Sequence, residues 1–468
     1  MSNHDLAVMV LAAGKGTRLK SNLAKVLHRA GGRTLVEHIV RSCGPLKARE
    51  TVVVVGHQAE QVAAVVEPLG ATTVLQQPQN GTGHAVLVAK RPLGRAKFAL
   101  VLPGDAPLVR TETMKALIAA HRNGNAAATI LSAVVADPSG YGRIVRKSET
   151  AVSAIVEESQ LTDEQREINE INSAIYCFTL ENLWPALAQV KPNNKHRELY
   201  LTDAIAVMSG KGETVLAQVA ADSREVLGCN TRADLAEVDR ILREWKRNAL
   251  MDAGVTMQLP ETVLIDPDVT AGEDTVIEAG VQLLGKTKLG ARCSVKTGSW
   301  VMESRLEDGV TIGPFARLRT GTQVKRGGRI GNFVETKNTI IGEGAKVPHL
   351  TYVGDAKIGA KTNVGAGTIT CNYDGFQKHP TTIGKGVFIG SDSVLVAPVR
   401  IGDHAYVAAG STITEYVPAD SLGIGRGRQV NKPGWAAKKR RELAAAQHPQ
   451  KSSRRSERKP RRKTRPRK

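Results

Sequence analysis

The chain has 468 residues, enough for two to four domains with large cores, and 41% of its residues are hydrophobic. It contains no apolar run of membrane-spanning length and no charged N-terminal segment followed by a long apolar core, so we expect no membrane insertion. The five cysteines are scattered without a Cys-x-x-Cys pair, which predicts reduced thiols in the cytoplasm and argues against a disulfide frame or a zinc site.

The formal net charge of +20 is concentrated at the C-terminus. Residues 437–468 contain fifteen Lys or Arg and two Glu, a charge of +13 (15 − 2). The rest of the chain therefore carries +7 (20 − 13), which is compatible with a protein that handles anionic substrates.

A glycine-rich loop follows the first predicted strand. The apolar run from Leu6 to Leu11 predicts a buried parallel strand, and it leads directly into the loop Ala12–Arg18. Glycines let backbone N–H groups approach a phosphate, and Arg18 and Lys25 supply positive charge. The loop is neither a nucleoside-triphosphate loop ending in Gly-Lys-Ser/Thr nor a dinucleotide fingerprint. Taken alone, it is equally compatible with an ordinary strand-to-helix turn.

Two further strands are predicted at residues 51–55 and 98–102. Between them, the polar loop from Gln76 to Ala85 offers amides for a base edge and backbone N–H groups for phosphate. Asp105 lies just past the third strand, where open α/β sheets bind their ligands, and it could hold a magnesium ion that carries phosphates. A helix-capping role is the alternative for Asp105.

A repeat of six residues runs from Ile265 to Thr412. Apolar residues hold the repeating position at Ile265, Ala271, Ile277, Leu283, Leu289, Val295, Ile358, Val364, Ile383, Ile389, Leu395, Ile401 and Val407. Glycine often follows this position, and a small residue often lies four places after it. A period of six suits one flat face of a triangular parallel coil, with one apolar side chain per face pointing inward. The pattern resembles the left-handed parallel β-helix of hexapeptide-repeat acyltransferases, although such a coil can also be purely structural.

The N-terminal motifs resemble those of sugar-1-phosphate nucleotidylyltransferases. The matching strings are residues 11–18 with Lys25, 76–82, 104–105, 141–144, 156–157, 170–172 and 228–230. Joined to the coil, they resemble the bacterial bifunctional N-acetylglucosamine-1-phosphate uridylyltransferase and glucosamine-1-phosphate acetyltransferase family. The resemblance implies that Asp105 and Asn230 hold Mg²⁺. It also implies a site for UTP and the sugar phosphate at Leu11, Ala12, Ala13, Gly14, Arg18, Lys25, Gln76, Gly81, Thr82, Gly104, Asp105, Gly142, Glu157, Asn172 and Asn230.

The resemblance divides the chain into three parts, and a basic tail follows them. A Rossmann-like α/β uridylyltransferase domain with a mostly parallel sheet is expected at residues 1–229, and a helical linker at 230–250. The linker is expected to form one helix from Asn230 to Met251, acting as a rigid arm between the domains or packing on one of them alone. The acetyltransferase coil is expected at 251–436.

Two disturbed stretches interrupt the six-residue pattern, at residues 320–353 and 370–382. Loops that leave a regular scaffold tend to carry function. His349 lies in the first stretch, and a histidine can take a proton from a substrate ammonium near neutral pH. A lone loop histidine is ordinarily just solvated. The order of Asn332, Glu335, Lys337, His349 and Tyr352 resembles the acetyltransferase constellation of the family, and this makes His349 the expected general base.

The resemblance implies the remaining acetyltransferase contacts. Arg319 and Lys337 are expected to bind the sugar phosphate, because they are the cations suited to that anion, with Tyr352 and Asn363 also facing the sugar. Acetyl-CoA is expected along Ala366, Asn372, Tyr373, Ser391, Ala409 and Arg426. Hexapeptide-repeat enzymes bind ligands between neighbouring coils, which implies a homotrimer.

The final part, residues 437–468, is a Lys-, Arg-, Ser- and Pro-rich tail that is expected to be disordered. Such a tail is either simply solvated or contacts nucleic acid or another anionic surface electrostatically. Two competing functions stay open: a nucleotidylyltransferase for another sugar with the coil as an oligomerisation scaffold, and a nucleic-acid-binding protein with vestigial enzyme domains.

Overall fold

The structure is a computed structural model, and it describes residues 3–192 and 198–447. The strands of the N-terminal unit are β1 (Asn3–Ala12), β2 (Arg29–Ala30), β3 (Arg33–Thr34), β4 (Ala48–Val55), β5 (Thr72–Leu75), β6 (Phe98–Pro103), β7 (Ala128–Val134), β8 (Arg143–Arg146), β9 (Val152–Val156), β10 (Glu170–Thr179) and β11 (Val215–Val219). The helices of the described residues are α1 (Leu35–Cys43), α2 (Ala59–Val66), α3 (Thr82–Val88), α4 (Thr111–Asn123), α5 (Asp163–Arg166), α6 (Leu180–Leu187), α7 (Leu201–Gly210), α8 (Arg232–Asp252) and α9 (Trp435–Gln447).

The N-terminal unit is built on one mixed sheet with the strand order β11-β7-β10-β6-β1-β4-β5. Strands β4 and β6 both pair parallel to β1, while β10 runs antiparallel between β6 and β7. Alternate residues of β1 enter two separate hydrophobic cores, Val8 in one and Met9 in the other. Burial on both faces explains why these strands are continuous apolar runs. The three predicted strands and the mostly parallel sheet are confirmed.

Helix α8 connects the N-terminal unit to the coil. It begins with a capping box, in which the Thr231 hydroxyl accepts from the Asp234 N–H and the Asp234 carboxylate accepts from the Thr231 N–H. Val238 and Ile241 pack in a small core with residues of the N-terminal unit, whereas Leu250 belongs to the core of the coil. The helix therefore contacts both units, as expected of a connecting arm.

The coil consists of twenty-six short strands. They are β12 (Thr256–Met257), β13 (Leu264–Ile265), β14 (Val276–Ile277), β15 (Gln282–Leu284), β16 (Lys288–Leu289), β17 (Ser294–Val295), β18 (Trp300–Met302), β19 (Arg305–Leu306), β20 (Thr311–Ile312), β21 (Arg317–Leu318), β22 (Gln323–Val324), β23 (Arg329–Asn332), β24 (Glu335–Lys337), β25 (Ile340–Ile341), β26 (Lys346–His349), β27 (Tyr352–Gly354), β28 (Ala356–Ile358), β29 (Asn363–Val364), β30 (Ile369–Cys371), β31 (Thr381–Ile383), β32 (Phe388–Ile389), β33 (Val394–Val396), β34 (Val399–Ile401), β35 (Tyr406–Val407), β36 (Thr412–Ile413) and β37 (Leu422–Gly423).

Successive strands of the coil fall on three faces. The first face is the ten-stranded sheet β12 to β37, the second is the nine-stranded sheet β13 to β36, and the third is the seven-stranded sheet β16 to β34. All described pairings within these sheets are parallel, as in β23 with β26. The repeating apolar side chains fill a single core that runs along the axis, which confirms the predicted triangular coil.

The glycines that follow the inward apolar residues allow close approach between coils. A Cβ atom on Gly342 would lie 2.6 Å from the backbone nitrogen of Ala360 in the next coil. The small residues four places after the apolar position lie inside the coil, where the Thr362 hydroxyl donates to Gly384 O at 2.7 Å and the Ser393 hydroxyl to Gly390 O at 2.6 Å. Both features of the repeat therefore serve the stacking of backbone on backbone.

The first expected interruption, at residues 320–353, is wrong. Strands β22 to β27 continue the three faces in parallel register through this stretch. The apolar repeat is hidden because the inward position is held by Thr336, which is fully buried, and because the next inward residue, Ile341, follows after five positions. The second expected interruption is confirmed: after β30 the chain leaves the coil in a loop that returns at β31.

The beginning of the expected disordered tail is instead helical. Helix α9 covers Trp435–Gln447 and buries none of its residues. Its sequence is rich in Ala, Lys and Arg, which have high intrinsic helix propensities, and this explains a helix without tertiary packing. The rest of the tail, residues 448–468, lies outside the described residues. In the described ranges, no helix has the length and apolarity needed to cross a membrane.

Because Gly342 stacks directly on the next coil, we expect Gly342→Ala to lower the free energy of unfolding of the coil by about 1–3 kcal/mol, the usual cost of overpacking. Differential scanning calorimetry of the full chain measures the loss. Gly427→Ala is the matched control, since a Cβ atom there would meet nothing within 4 Å. Equal melting temperatures for the two variants would contradict the stacking explanation.

Candidate functional site

The first candidate site lies at the carboxyl ends of the parallel strands β1 and β6. Backbone pairing holds the two strand ends together, with Gly104 N donating to Leu11 O at 2.8 Å. A Cβ atom on Gly104 would lie 3.1 Å from the Ala12 side chain, so glycine permits this approach. Asp105 follows at once and is partly exposed at the sheet edge, with Ala13 on the neighbouring strand end.

Four polar side chains converge beside this edge. Lys25 forms an ion pair with the Asp105 carboxylate and also donates from Nζ to Asn230 Oδ1 at 2.7 Å. Arg18 Nη2 donates to the same Asn230 oxygen at 2.7 Å. The backbone fixes the arrangement, because Cys229 N donates to Asp105 O at 2.9 Å. Residues predicted from three distant motifs are therefore brought together.

The donor set at this edge suits a hard cation. Asp105 and Asn230 present a carboxylate and an amide oxygen, the ligand types that Mg²⁺ prefers, around a position now approached by the Lys25 ammonium. In the described residues, no group of three or more His, Cys, Asp or Glu side chains could hold a metal. The protein thus offers two oxygen ligands here rather than a complete metal cage.

The glycine-rich loops border the same edge. Gly14 is exposed, and a Cβ atom there would meet nothing within 4 Å, so its backbone faces open space. Gly81 has a φ of 95° and lies so close to Leu199 that a Cβ atom would be 2.6 Å from its carbonyl oxygen. Gln76 is buried and donates from Nε2 to Gly81 O at 3.0 Å, while Thr82 begins α3. Gln76 therefore holds the loop in shape.

A second group of predicted residues surrounds Gly142. Asn172 N donates to Gly142 O at 2.9 Å, and a Cβ atom on Gly142 would lie 3.5 Å from the Glu157 carboxylate. Burial raises the pKa of Glu157 and the charge of Asp203 raises it further, against the lowering effect of the Thr202 hydroxyl, which donates to it at 3.2 Å. Gly142, Glu157 and Asn172 therefore form a partly buried polar cluster.

The neighbouring Tyr141 links this cluster to the strand ends. Burial is the main reason that the pKa of Tyr141 is raised, and the negative charges of Asp234 and Asp105 add to it. These two carboxylates belong to the start of α8 and to the strand ends.

The second candidate site lies on the coil, at the corner between its first and second faces. His349 ends β26 and pairs in register with Asn332 at the end of β23. Its Nδ1 atom lies 2.6 Å from Asn332 Oδ1. An amide oxygen only accepts, so Nδ1 is the donor in this contact, and in the neutral imidazole Nε2 then carries the lone pair. Leu350 then turns the corner with a φ of 46°.

The corner continues along the coil through residues predicted to line acetyl-CoA. Ala366, Ser391 and Ala409 hold the position of His349 in the following coils, as the register of the first face shows. Arg426 Nη1 donates to Ala409 O at 2.8 Å. His349, Ala366, Ser391 and Ala409 therefore form one edge of the coil, which we call the histidine edge. Arg426 contacts the far end of this edge.

A basic cluster occupies the opposite edge of the second face. Arg319 and Lys337 lie at the same level on β21–β24, and Lys378 of the 372–380 loop approaches Lys337. The nearby Lys378 side chain and the positive charges of Lys378 and Arg319 lower the pKa of Lys337. Glu335 offsets part of the charge through an ion pair with Arg319 at 2.8 Å. Cations crowded in this way favour binding of an anion.

Tyr352 and Asn372 complete this cluster. A Cβ atom on Gly354 would lie 2.5 Å from the Tyr352 hydroxyl and 2.7 Å from Asn372 Nδ2, so both groups cover the same backbone position. Asn372 is held by Asp355, whose carboxylate accepts from Nδ2 at 2.5 Å. The exposed Tyr373 extends into the loop and donates to Gly375 O at 2.5 Å.

Asn363 is not brought to these residues within one chain. It lies on the first face, in register with Lys346 and Phe388. His349 and the basic cluster also lie at opposite edges of the second face. One copy of the chain thus displays the predicted acetyltransferase residues on two faces.

The structure also gives specific contacts to Asn332, which the sequence reasoning named only as part of a constellation, and to two residues that it did not name, Thr202 and Lys378. Asn332 orients His349, Thr202 donates to Glu157, and Lys378 joins the basic cluster. Lys378 lies in the loop that interrupts the six-residue repeat, and that interruption is the signal that could have found it. No comparable pattern marks Thr202.

Comparison with known proteins agrees with both units. The model for the MobA-like NTP transferase domain matches residues 8–201, and the model for bacterial transferase hexapeptide (six repeats) matches residues 380–415. With the three stacked parallel sheets, the second match identifies the coil as a left-handed parallel β-helix.

Relatives match over nearly the whole chain. "Bifunctional protein GlmU" of Koribacter versatilis (strain Ellin345) is 47% identical over 462 residues, covering 94% of this chain and 98% of the relative. The protein of the same name from Solibacter usitatus (strain Ellin6076) is 50% identical over 458 residues, with the same shares covered. The one from Streptomyces griseus is 47% identical over 468 residues, covering 96% of this chain and 97% of the relative. With both units matched at this identity, the chain belongs to the GlmU family of bifunctional proteins.

Proposed function

We propose that the chain makes UDP-N-acetylglucosamine in two steps. Acetyl-CoA first acetylates glucosamine-1-phosphate on the coil, and UTP then transfers its uridylyl group to N-acetylglucosamine-1-phosphate in the N-terminal unit, with release of pyrophosphate. The observation that carries this proposal is the match of bifunctional relatives across both units of the chain. The product would serve as a precursor of peptidoglycan and lipopolysaccharide.

In uridylyl transfer, the phosphate oxygen of the sugar would attack the α-phosphorus of UTP, and the bond to the leaving pyrophosphate would break. Arg18 and Lys25 would bind the triphosphate, and their convergence on Asn230 at the strand ends supports this role. Gly142, Glu157 and Asn172 would hold the sugar nucleotide. No side-chain nucleophile is needed, since the attacking phosphate is already ionised.

Asp105 and Asn230 would hold magnesium, with phosphate oxygens completing the coordination. Bound there, Mg²⁺ would offset the charge that accumulates as the phosphorus becomes five-coordinate. Lys25 contacts both ligand side chains, so we expect its ammonium to turn toward the triphosphate when the metal binds.

In acetyl transfer, His349 would act as the general base. Its Nε2 lone pair takes a proton from the glucosamine ammonium, and the freed amine attacks the thioester carbonyl. As the C–S bond breaks, the nitrogen loses its second proton to solvent, and the thiolate of CoA takes from His349 the proton that came from the ammonium. The Ser391 hydroxyl on the histidine edge, or a backbone N–H, would stabilise the oxyanion. Arg319, Lys337 and the neighbouring Lys378 would bind the sugar phosphate.

The acetyltransferase site would be completed in a homotrimer. Asn363 and the basic cluster lie on different faces of one chain, so a neighbouring coil is needed to bring such residues to one substrate. Exposed apolar side chains on the coil support an interface: Phe315 and Phe333 stack at a corner with ring centroids 5.8 Å apart, and Phe388 and Tyr406 form a ladder on the first face. We place the enzyme in the cytoplasm, in keeping with its five free cysteines.

One experiment tests the whole proposal. Purified protein is given glucosamine-1-phosphate, acetyl-CoA, UTP and magnesium, and every product is identified by mass. UDP-N-acetylglucosamine and free CoA are expected together. Nucleotide-sugar formation without thiol release would instead favour the competing hypothesis of a single nucleotidylyltransferase on a scaffold.

We predict that Asp105→Ala abolishes most uridylyl transfer and leaves acetyl transfer near normal. The substitution removes the carboxylate ligand of magnesium at the strand ends, whereas the acetyltransferase residues lie on the coil. Separate assays of pyrophosphate and thiol release measure the two rates. A folded Asp105→Ala protein that has lost both activities would show that the sites are not independent.

We predict that His349→Ala slows acetyl transfer by about a hundredfold or more, the usual scale for losing a general base. Binding of the sugar phosphate should change little, because Arg319 and Lys337 remain. Part of the deficit should be recovered at high pH, where free amine is abundant, and uridylyl transfer should be unchanged at every pH. Thiol-release rates measured across pH give the profile.

Asn332→Ala is the companion variant for this test. It keeps the imidazole but removes the oxygen that fixes its tautomer, so we expect a smaller loss, about tenfold, with sugar-phosphate binding retained. Acetyl transfer within about threefold of wild type in folded His349→Ala protein at neutral pH would end the assignment of His349 as general base.

A further inference from the structure

Glu225 is a buried carboxylate that neither reaction uses. It is 1% exposed and lies in a 3₁₀ turn, Ser223–Val226, ahead of helix α8. Taking a carboxylate out of water is costly unless its oxygens are hydrogen-bonded and its charge is offset. The groups that hold Glu225 therefore indicate what its burial achieves.

Both oxygens of Glu225 are bound by Arg110. Oε2 accepts from the Arg110 backbone N–H at 3.0 Å, while Oε1 accepts from Nε at 2.7 Å and pairs with Nη2 at 2.5 Å. Charge-assisted hydrogen bonds of this kind are among the strongest in proteins. Because one contact is to the backbone, the carboxylate is tied to the main chain of Arg110 as well as to its side chain.

The pair joins the two segments that carry the proposed metal ligands. Arg110 lies five residues after Asp105 (110 − 105), and Glu225 lies five residues before Asn230 (230 − 225). At the other end of the same segments, Cys229 N donates to Asp105 O at 2.9 Å. The two segments are therefore tied twice, once beside the metal ligands and once at the pair of Arg110 and Glu225.

Apolar side chains of the two segments also pack in common cores. Val109 and Val226 belong to one core of the sheet, and Leu108 and Cys229 belong to the small core shared with α8. Leu108 and Cys229 are fully buried. Packing and the two ties together restrict the movement of one segment relative to the other.

Helix α8 is connected to the same pair through Trp245. The guanidinium carbons of Arg110 and Arg224 lie 5.0 and 5.9 Å from the centroid of the Trp245 ring. Asp222 pairs with Arg224 at 2.9 Å and with Arg110 at 3.6 Å. Arg110 is thereby contacted from the turn and from the helix, which lie on either side of Asn230 in the sequence.

We propose that Glu225 is a positioning residue for the metal site of uridylyl transfer. Through Arg110 it holds the segment before Asn230 against the segment after Asp105, so that the Asn230 amide stays beside the Asp105 carboxylate. This inference rests on the proposed function, in which Asp105 and Asn230 hold magnesium. Groups that orient metal ligands typically contribute about ten- to a hundredfold to metal affinity or activity.

The main variant for the test is Glu225→Gln. Its amide has the shape of the carboxylate, but only the oxygen accepts hydrogen bonds, so the NH₂ group would face a donor of Arg110. We expect the magnesium concentration for half-maximal uridylyl transfer to rise about tenfold, while the rate at saturating magnesium and the rate of acetyl transfer stay near those of the wild type. A general loss of folding would lower both rates and would not be reversed by magnesium.

Metal binding is also measured without catalysis. Mn²⁺ is titrated into the full-length protein saturated with UDP-N-acetylglucosamine, the free ion is followed by electron paramagnetic resonance, and the nucleotide sugar without protein gives the background. The dissociation constant should rise about tenfold in Glu225→Gln, and Asp105→Ala should remove the site. If the wild type shows no site that depends on Asp105, the proposed metal site fails and the inference fails with it.

Glu244→Gln is the matched control. Glu244 is a carboxylate of α8 that pairs with Arg224 of the same turn at 3.3 Å and with Arg240 of its own helix at 2.7 Å. Its replacement removes one negative charge from the same junction, and both metal constants should stay at the wild-type values. An equal rise in Glu244→Gln would overturn the inference by making the effect one of general charge.

Arg110→Ala provides a second variant in case Glu225→Gln does not fold. It keeps the backbone N–H that binds Glu225 but removes the guanidinium, so both metal constants should rise about threefold or more, the scale of one hydrogen bond. Unchanged constants in Arg110→Ala and in folded Glu225→Gln, with Asp105→Ala still without the metal site, would overturn the inference and leave the proposed function intact.

Discussion

One backbone hydrogen bond joins the end of strand β6 to the segment that begins helix α8, and both units depend on this junction: Cys229 N donates to Asp105 O at 2.9 Å. It ties the end of strand β6 to the residue before Asn230, just ahead of helix α8. The capping box at Thr231 and Asp234 then fixes where the helix starts, and Asp234 also accepts from Asn230 N at 2.8 Å. The position of Asn230 opposite Asp105 is therefore set by backbone and cap geometry before any ligand binds.

Because helix α8 starts at this junction and ends in the coil, the junction also sets the orientation of the coil. Its far end enters the core of the coil through Leu250, and Arg243 bridges Asp239 of the helix at 2.9 Å and Asp266 of the first coil at 3.4 Å. The β2–β3 hairpin adds a direct contact, since Arg33 pairs with Asp268. Two units with different folds are thus joined by a continuous helix and by side-chain contacts on both sides of it.

The sequence was informative where a single physical requirement repeats. Buried parallel strands need continuous apolar runs, so β1, β4 and β6 could be predicted, and each face of the coil needs one inward side chain, so the six-residue period could be read. The six-residue pattern was not recognised at Thr336 and Ile341. Thr336 is a buried threonine with a hydrogen-bonded hydroxyl, and it replaces an apolar residue. Ile341 follows it after only five positions, because this face is one residue shorter. Helix α9 is missed because a stretch too poor in apolar residues to build a core is expected to be disordered, whereas local helix formation depends on propensity as well as packing.

In the candidate sites too, some features could be predicted from the sequence and others could not. Motifs that are continuous in sequence predicted the residues of both sites, but contacts between distant residues, such as Thr202 with Glu157, arise only from the tertiary fold. On the coil, stacked glycines such as Gly342 leave no room for side chains between neighbouring backbones. Chemical variety is therefore confined to corners, outward positions and the one long loop. The histidine edge is such a corner, and regular stacking gives His349, Ala366 and Ser391 their common line, so the rigidity of the repeat itself positions the groups that the chemistry requires.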